Sequence, residues 1–169
     1  MNAAGPPGAG TPRAVLVAGI GNVFHGDDGF GVEVVRRLEK RPLPPGVDVA
    51  DFGLRCVDLM YALGDGYRAV VLVEAAERGH APGTVSLVEP DGARGLGLLG
   101  TLDPAGVARE SGRAPARVLH VACEPSPGAA ATWEMGLSRP VAAAVEEAVR
   151  LVGRLAAEES GRLLAGTHA

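Results

Sequence analysis

One segment near the start of the chain, residues 15–31, constrains the fold more than any other. A short apolar run, Val15–Ile20, ends in a glycine-rich loop with two adjacent acids, Asp27 and Asp28, and an apolar-periodic segment follows at once. This pattern predicts a first strand, a tight turn and a first helix. Ligands of open α/β sheets bind at the carboxyl ends of the strands, which is where this loop lies. Because neighbouring carboxylates repel unless one is protonated, paired or bound to a cation, the loop is predicted to hold a cation or a proton.

Strands and helices alternate along the rest of the chain. Further strands are predicted at 47–52, 69–73, 83–88 and 117–122, and helices at about 31–40, 58–63 and 140–155. The continuous apolar run at 69–73 is typical of a central strand, whereas the alternating segment 83–88 suits a strand nearer an edge. We therefore predict a single α/β domain with three layers, α/β/α, around a twisted mixed, mainly parallel sheet. The domain is placed at residues 13–157, between a disordered tail at 1–12 and a flexible tail at 158–169.

Composition excludes several classes of function. The net charge of −4 argues against nucleic-acid binding, which needs a basic face. No apolar run approaches the roughly 20 residues of a membrane span, so no membrane partner is expected. The two cysteines, Cys56 and Cys123, do not make a disulfide framework, which favours a reducing cytoplasmic setting.

Seven short motifs, separated along the chain, resemble one known family. They lie at 19–31, 51–55, 73–75, 81–84, 102–104, 123–125 and 135–138. In this order they are similar to the hydrogenase maturation protease family, the endopeptidases that trim the C-terminus of nickel–iron hydrogenase large subunits. The motifs cover roughly residues 13–155 and are specific as a set, although each one alone is weak.

The resemblance implies a metal site at the carboxyl edge of the sheet and hydrolysis without a serine or cysteine nucleophile. It implies that two carboxylates and a histidine recognise nickel already inserted in the substrate, the precursor of a hydrogenase large subunit. Such ligands suit a borderline divalent metal, which could polarise a carbonyl or activate water. By position the carboxylates are Asp28 and Glu74, where the family more often has Asp at the second position. We expect the protein to act as a monomer.

The family's histidine has no counterpart at its usual place. It usually lies a few residues before the segment equivalent to 102–104, but residues 96–102 contain no histidine. His25 in the acidic loop and His80 after the Glu74 strand are candidate substitutes, and Asp103 is a candidate third carboxylate. Loop histidines are more often solvated than ligating, and Asp before Pro is a common turn pair, so the third ligand stays open.

Other polar residues are predicted to have structural roles. Asp27 is interpreted as the structural member of the acid pair, because an acid at a helix N-terminus is favoured by the helix dipole. His120 is predicted to be packed or hydrogen-bonded within its strand, and Cys123 to be part of the core. An Asp51–Arg55 pairing is plausible, and Glu124 is a candidate for the substrate groove.

Two other functions compete with the protease. Because a histidine is missing and an acid is altered, the chain is also compatible with a non-catalytic homologue that binds a hydrogenase-related partner without cleaving it. A dinucleotide-binding domain is disfavoured, because no third glycine falls at the fingerprint spacing and acids crowd the place of the pyrophosphate.

Overall fold

The computed structural model describes residues 14–88, 115–129 and 133–166. Its strands are β1 Val15–Ile20, β2 Val47–Gly53, β3 Ala69–Ala75, β4 Val85–Val88 and β5 Arg117–Cys123. Its helices are a short 3₁₀ helix, Gly26–Gly29, and the α-helices α1 Phe30–Leu38, α2 Cys56–Leu63 and α3 Arg139–Gly166. Every predicted strand and helix is present. The structure also contains one element that the sequence did not predict, the 3₁₀ helix in the acidic loop.

The five strands form one sheet in the order β2-β1-β3-β5-β4. The first four of these strands pair in parallel, and β4 pairs with β5 in the antiparallel direction at the edge. The mixed, mainly parallel sheet is thereby confirmed. All seven residues of β3 are buried, which agrees with its continuous apolar sequence. The edge position of β4 agrees with its alternating sequence.

Helices cover both faces of the sheet, which confirms the three-layer α/β/α architecture. Val15 and Val17 of β1 belong to a buried cluster that includes residues of α1 and α3. Leu16 and Ala18 point to the opposite face and join a second cluster with Leu59 of α2. Successive strand residues point to opposite faces, so a strand between two helix layers must be apolar throughout. None of the described helices is long and apolar enough to span a bilayer.

Helix α3 is longer than the sequence pattern predicts. It continues to Gly166, past the expected end near residue 157, where a flexible tail was predicted. Ala156 is buried, the Ser160 hydroxyl donates to the Pro45 carbonyl at 2.8 Å, and the Glu159 carboxylate lies 3.2 Å from the Arg117 guanidinium. These contacts hold the last turns against the body of the domain. The predicted tail at 1–12 and residues 167–169 lie outside the described residues.

Candidate functional site

Glycines bring the acidic loop close to the ends of β1 and β3. Gly21 has a φ of 131°, and a Cβ there would lie 1.8 Å from the carbonyl oxygen of Asp28. At Gly31 a Cβ would lie 2.0 Å from the carbonyl oxygen of Val73. Any larger residue at either position would push the loop away from the strands. Asp28 is therefore held near the end of β3, the strand that carries Glu74.

Asp27 is the structural acid of the loop, as predicted. It is fully buried, and its carboxylate accepts hydrogen bonds from the Ser126 N–H at 2.8 Å, the Ser138 N–H at 2.6 Å and the Ser138 hydroxyl at 2.8 Å. The Gly26 N–H also donates to the Glu134 carbonyl at 2.8 Å. The 3₁₀ helix is thus tied to two segments from the far end of the chain. Hydrogen bonds to an ionised carboxylate are roughly twice as strong as neutral ones, so this network fixes the loop.

Asp28 lies beside this network with its carboxylate partly accessible. One of its oxygens accepts a hydrogen bond from the backbone N–H of Asn22 at 2.8 Å. That bond orients the carboxylate relative to the end of β1. An ionised carboxylate has about four acceptor positions, so a single bond leaves it able to bind a further ligand.

Glu74 and His120 meet on neighbouring strands. β3 and β5 pair so that Glu74 is opposite Ala122 and His120 is opposite Leu72, which puts both side chains on the face covered by α2. Their side chains are 3% and 5% exposed, and Glu74 Oε1 lies 2.7 Å from His120 Nε2. The prediction that His120 is packed in its strand is confirmed for its burial. Its contact with Glu74 was not predicted, although a histidine inside an otherwise apolar strand indicates a buried polar partner.

The Glu74–His120 contact is short without being a good hydrogen bond. Neither Glu74 Oε1 nor His120 Nε2 has a hydrogen-bond partner among the described residues, and both atoms are buried. A distance of 2.7 Å is not sufficient for a hydrogen bond, because the bond weakens steeply when the donor points away from the acceptor. A buried polar atom left without a hydrogen bond destabilises the fold by about 1–3 kcal/mol. The pair therefore has unused binding capacity inside the domain.

The other predicted ligands do not gather around this pair. The structure brings no three His, Cys, Asp or Glu side chains of the described ranges together in a metal-binding group. His25 packs its ring edge against Trp133, with ring centroids 4.3 Å apart, and its Nε2 is buried without a hydrogen bond. His80 is exposed in the turn after β3, and Asp103 lies outside the described residues. The structure thus provides no preassembled site in which Asp28 and Glu74 share His25 or His80.

Three further polar residues have contacts of their own. The Asp51 carboxylate pairs with Arg36 at 3.2 Å, whereas Arg55 donates to the backbone carbonyls of Asp51 and Phe52, so the expected Asp51–Arg55 pairing involves a backbone oxygen instead of the carboxylate. The buried Glu124 accepts from the N–H groups of Arg78 and Gly79 at 2.8 and 3.2 Å. Glu124 therefore holds the turn after β3, and these bonds give it a structural role in place of the predicted one in a substrate groove.

Cys123 is a core residue, as expected. It is buried at the end of β5, and burial, with the nearby Asp27 and Glu124 carboxylates, raises the pKa of its thiol to about 12. Because the thiolate is the nucleophilic form, this thiol is not available for nucleophilic catalysis near neutral pH.

Comparison with known proteins identifies the family. The family model for hydrogenase maturation proteases matches residues 32–154, well over half of the chain. A hydrogenase expression/formation protein HupD of Rhizobium leguminosarum bv. viciae is 34% identical over 161 residues, a match that covers 88% of this chain and 77% of that protein. A putative hydrogenase maturation protease of Methanocaldococcus jannaschii is 38% identical over 80 residues, or 47% of this chain and 52% of the relative.

A solved structure gives the same result. The hydrogenase maturating endopeptidase HybD from E. coli superposes with a TM-score of 0.72 at 26% identity, over 82% of this chain and 89% of that one. The same sheet and helix layers therefore exist in a protein of known structure. Taken together, the matched residues, the identity to relatives and the shared fold show that this chain belongs to the hydrogenase maturation protease family.

Proposed function

We propose that the protein is an endopeptidase that removes the C-terminal extension of a nickel–iron hydrogenase large subunit after nickel has been inserted. The observation that carries the proposal is the placement of two carboxylates, Asp28 and Glu74, near the ends of the adjacent strands β1 and β3. Asp28 uses one of its acceptor positions for the backbone, and Glu74 has an oxygen without a hydrogen bond. Membership of the family supports the same activity.

In this proposal the nickel belongs to the substrate. The described residues bring no three-ligand group together, so a metal already ligated by the hydrogenase precursor is a better match than a resident ion. Carboxylate oxygens are suitable additional ligands for a borderline divalent metal. A precursor that lacks nickel would offer nothing for them to bind, which would make cleavage dependent on metal insertion. Bound in this way, the nickel can polarise the scissile carbonyl or activate water.

The residues of the protein then have distinct tasks. Asp28 would contact the metal from the loop that Asp27 holds in place, and Glu74 would contact it from the carboxyl end of β3. Asp28 is oriented by its hydrogen bond from the Asn22 N–H, and Glu74 lies on the buried strand β3, so both carboxylates are held in place before the substrate enters. We place the reaction in the cytoplasm, because the free thiols Cys56 and Cys123 suit a reducing compartment.

A cleavage assay tests this function. The nickel-loaded large-subunit precursor from the same organism is incubated with wild-type protein or with Asp28→Asn, and shortening of the precursor is followed by mass spectrometry. We expect the wild type to cleave and the variant to be slower by at least about tenfold, because an amide is a weaker metal ligand than a carboxylate. Glu33→Gln, a change on the surface of α1, serves as the control and should cleave like the wild type. Equal rates for wild type and Asp28→Asn would remove Asp28 from the proposal.

The absence of a three-ligand group from the described ranges also favours a second candidate, a homologue that binds the precursor without cutting it. The same samples separate the two possibilities. Co-elution of the precursor with the wild type, with the precursor still full-length after prolonged incubation, would support the binding protein and contradict the protease.

A further inference from the structure

Helix α2 differs from α1 in the side chains that it presents to solvent. The exposed residues of α1 include the charged Arg36 and Arg37. The exposed residues of α2 include Val57 and Tyr61, which lie one turn apart, although the other side of this helix is already buried against the sheet. A helix between a sheet and water is normally apolar on one side only, and apolar residues on both sides are typical of a helix that is covered twice. The outer side of α2 therefore has the character of a contact surface.

The exposed apolar residues of α2 continue toward the acidic loop. The Gly21 N–H donates to the Gly53 carbonyl at 3.0 Å, which puts Leu54, two residues before α2, beside the start of that loop. Leu54 is itself half exposed, and the loop exposes Phe24. The apolar side chains thus extend from α2 to the segment that carries the proposed nickel-recognising carboxylate.

A segment from the far end of the chain adds two more large apolar residues. The Gly26 N–H donates to the Glu134 carbonyl at 2.8 Å, and the His25 ring packs against Trp133 with ring centroids 4.3 Å apart. These contacts hold Trp133 and Met135 beside the acidic loop, where the two residues are 81% and 73% exposed. The loop is therefore bordered by apolar side chains from both of its neighbouring segments.

The exposed large apolar residues are not scattered over the molecule. Among the described residues, all of them except Leu87 of β4 lie on the acidic loop or on the segments that border it. We call this set the apolar surface; it consists of Phe24, Leu54, Val57, Tyr61, Trp133 and Met135. Single exposed apolar side chains are normal, whereas a cluster of them marks a binding site. Tryptophan and tyrosine are also the residue types that most often dominate the binding energy of protein interfaces.

The charged residues beside α2 indicate the chemistry of the partner. Arg55 lies 3.7 Å from Asp58, and Arg36 lies 3.2 Å from Asp51, so these charges are paired with one another. Binding next to them depends on apolar contact, which an uncharged apolar protein surface provides. A second copy of this chain bound through the same surface would cover Asp28, which the proposed cleavage requires to be accessible. The partner is therefore the substrate rather than a second copy.

We infer that the apolar surface is the docking site of the hydrogenase large-subunit precursor, which binds it through an uncharged apolar part of its own surface. Docking there brings the C-terminal extension of the precursor to the loop that carries Asp28. It also gives the protein a means to select a whole precursor over a free peptide with the sequence of the cleavage site. The inference rests on the proposed function for the identity of the partner.

Binding affinity tests the docking site separately from cleavage. The nickel-loaded precursor is titrated into full-length protein in the Asp28→Asn background, in which cleavage is slow, and binding is followed by thermophoresis. Adding Tyr61→Ser or Trp133→Ser should weaken binding by at least about tenfold, because buried aromatic residues dominate such interfaces. Leu87→Ser is the matched control, an exposed apolar residue away from the apolar surface, and should bind equally well. Unchanged affinity in either aromatic variant, or an equal loss in Leu87→Ser, would overturn the inference.

Photo-cross-linking locates the contact without removing Asp28. Benzoylphenylalanine is introduced in place of Tyr61, or in place of Leu87 as the control, and the full-length protein is irradiated with the nickel-loaded precursor. We expect a cross-link to the precursor from position 61 and none from position 87. A cross-link from position 61 to a second copy of the protein, with none to the precursor, would overturn the inference and identify a dimer interface instead.

The outcomes for the inference and for the proposed function are separable. If the precursor binds through the apolar surface but stays full-length, the docking site holds and the protease function is wrong. If the precursor is cut and the Tyr61→Ser and Trp133→Ser changes leave its KM unchanged, the function holds and the docking site is wrong.

Discussion

Asp27 and Glu74 are both buried carboxylates near the same edge of the sheet, yet their surroundings are opposite. Asp27 accepts three hydrogen bonds from Ser126 and Ser138, whereas Glu74 faces His120 with an oxygen that lacks a hydrogen bond among the described residues. A buried carboxylate with its acceptors filled stabilises a fold, and one left short of partners destabilises it. Burial alone therefore does not distinguish the acid that maintains the loop from the acid predicted to bind; their hydrogen-bond partners do.

The largest effect is expected at the satisfied acid. Asp27→Ala should lower the free energy of unfolding by about 3 kcal/mol, because it removes the buried acceptor of three hydrogen bonds from the half-buried Ser126 and Ser138. Urea unfolding followed by circular dichroism measures it. Asp28→Ala is the control and should cost less than about 1 kcal/mol, since Asp28 is half-buried and accepts one backbone bond. Similar losses for both variants would break the distinction between the two loop acids.

The unsatisfied acid should behave in the opposite way. Glu74→Gln keeps the size of the side chain and removes a poorly compensated buried charge, so stability should change by less than about 1 kcal/mol. Cleavage of the nickel-loaded precursor should nevertheless fall by at least about tenfold. Asp27→Asn is the matched carboxylate-to-amide change, and it should lower the free energy of unfolding by more than Glu74→Gln does. A large loss of stability in Glu74→Gln would mean that Glu74 is a structural acid after all.

A smaller effect tests how much the individual hydrogen bonds of Asp27 contribute to stability. Ser138→Ala removes the hydroxyl donor and keeps the backbone N–H, so we expect a loss of about 1 kcal/mol in the free energy of unfolding. Ser126→Ala should cost less, because it removes the 2.8 Å hydrogen bond between the Ser126 and Ser138 hydroxyls but leaves the bond from the Ser126 backbone N–H to Asp27 intact. Thermal or urea unfolding of the two variants compares them. A greater loss in Ser126→Ala would contradict the assignment of the hydroxyl bond.

The smallest effect concerns pH and the buried thiol next to this network. The pKa of Cys123 is raised from 9.0 to about 12 in the folded protein, so between these values the unfolded chain has released a proton that the folded protein retains. The protonated thiol thus contributes to the free energy of unfolding. This contribution is complete well below pH 9 and decreases as the pH rises toward 12. Between pH 8 and pH 9 the free energy of unfolding should fall by about 0.4 kcal/mol more for the wild type than for Cys123→Ala. An equal difference in both proteins would contradict the raised pKa.

The sheet was predictable from the sequence because its strands depend on local patterns. The apolar runs at β1 and β3 and the spacing in α1 identify their elements with few contacts from elsewhere. The end of α3 was not predictable, because Ser160 reaches a carbonyl on a segment more than a hundred residues away. Local spacing contains no information about such contacts.

The site was predictable only in part for the same reason. The acidic loop and the strand-end position of Glu74 are visible in the sequence. Asp27 was correctly predicted to be a structural acid from helix N-terminal chemistry, but in the structure its role comes from hydrogen bonds to the distant Ser126 and Ser138. That His120 touches Glu74 depends on the register between β3 and β5, two strands far apart in the chain. Alternation within one strand predicts which face a residue points to, but not which residue of another strand it meets.

The hydrogen bonds of Asp27 also bear on when the protein becomes functional during its synthesis. They join positions 99 and 111 residues apart. Contacts of such long range form late in folding, since a large loop must close before they are made. While residues from 126 onward are still in the ribosome, the acidic loop lacks both of its anchors, Ser126 and Ser138. A nascent chain with most of its sheet already translated would therefore still lack the fixed acidic loop that the proposed cleavage requires.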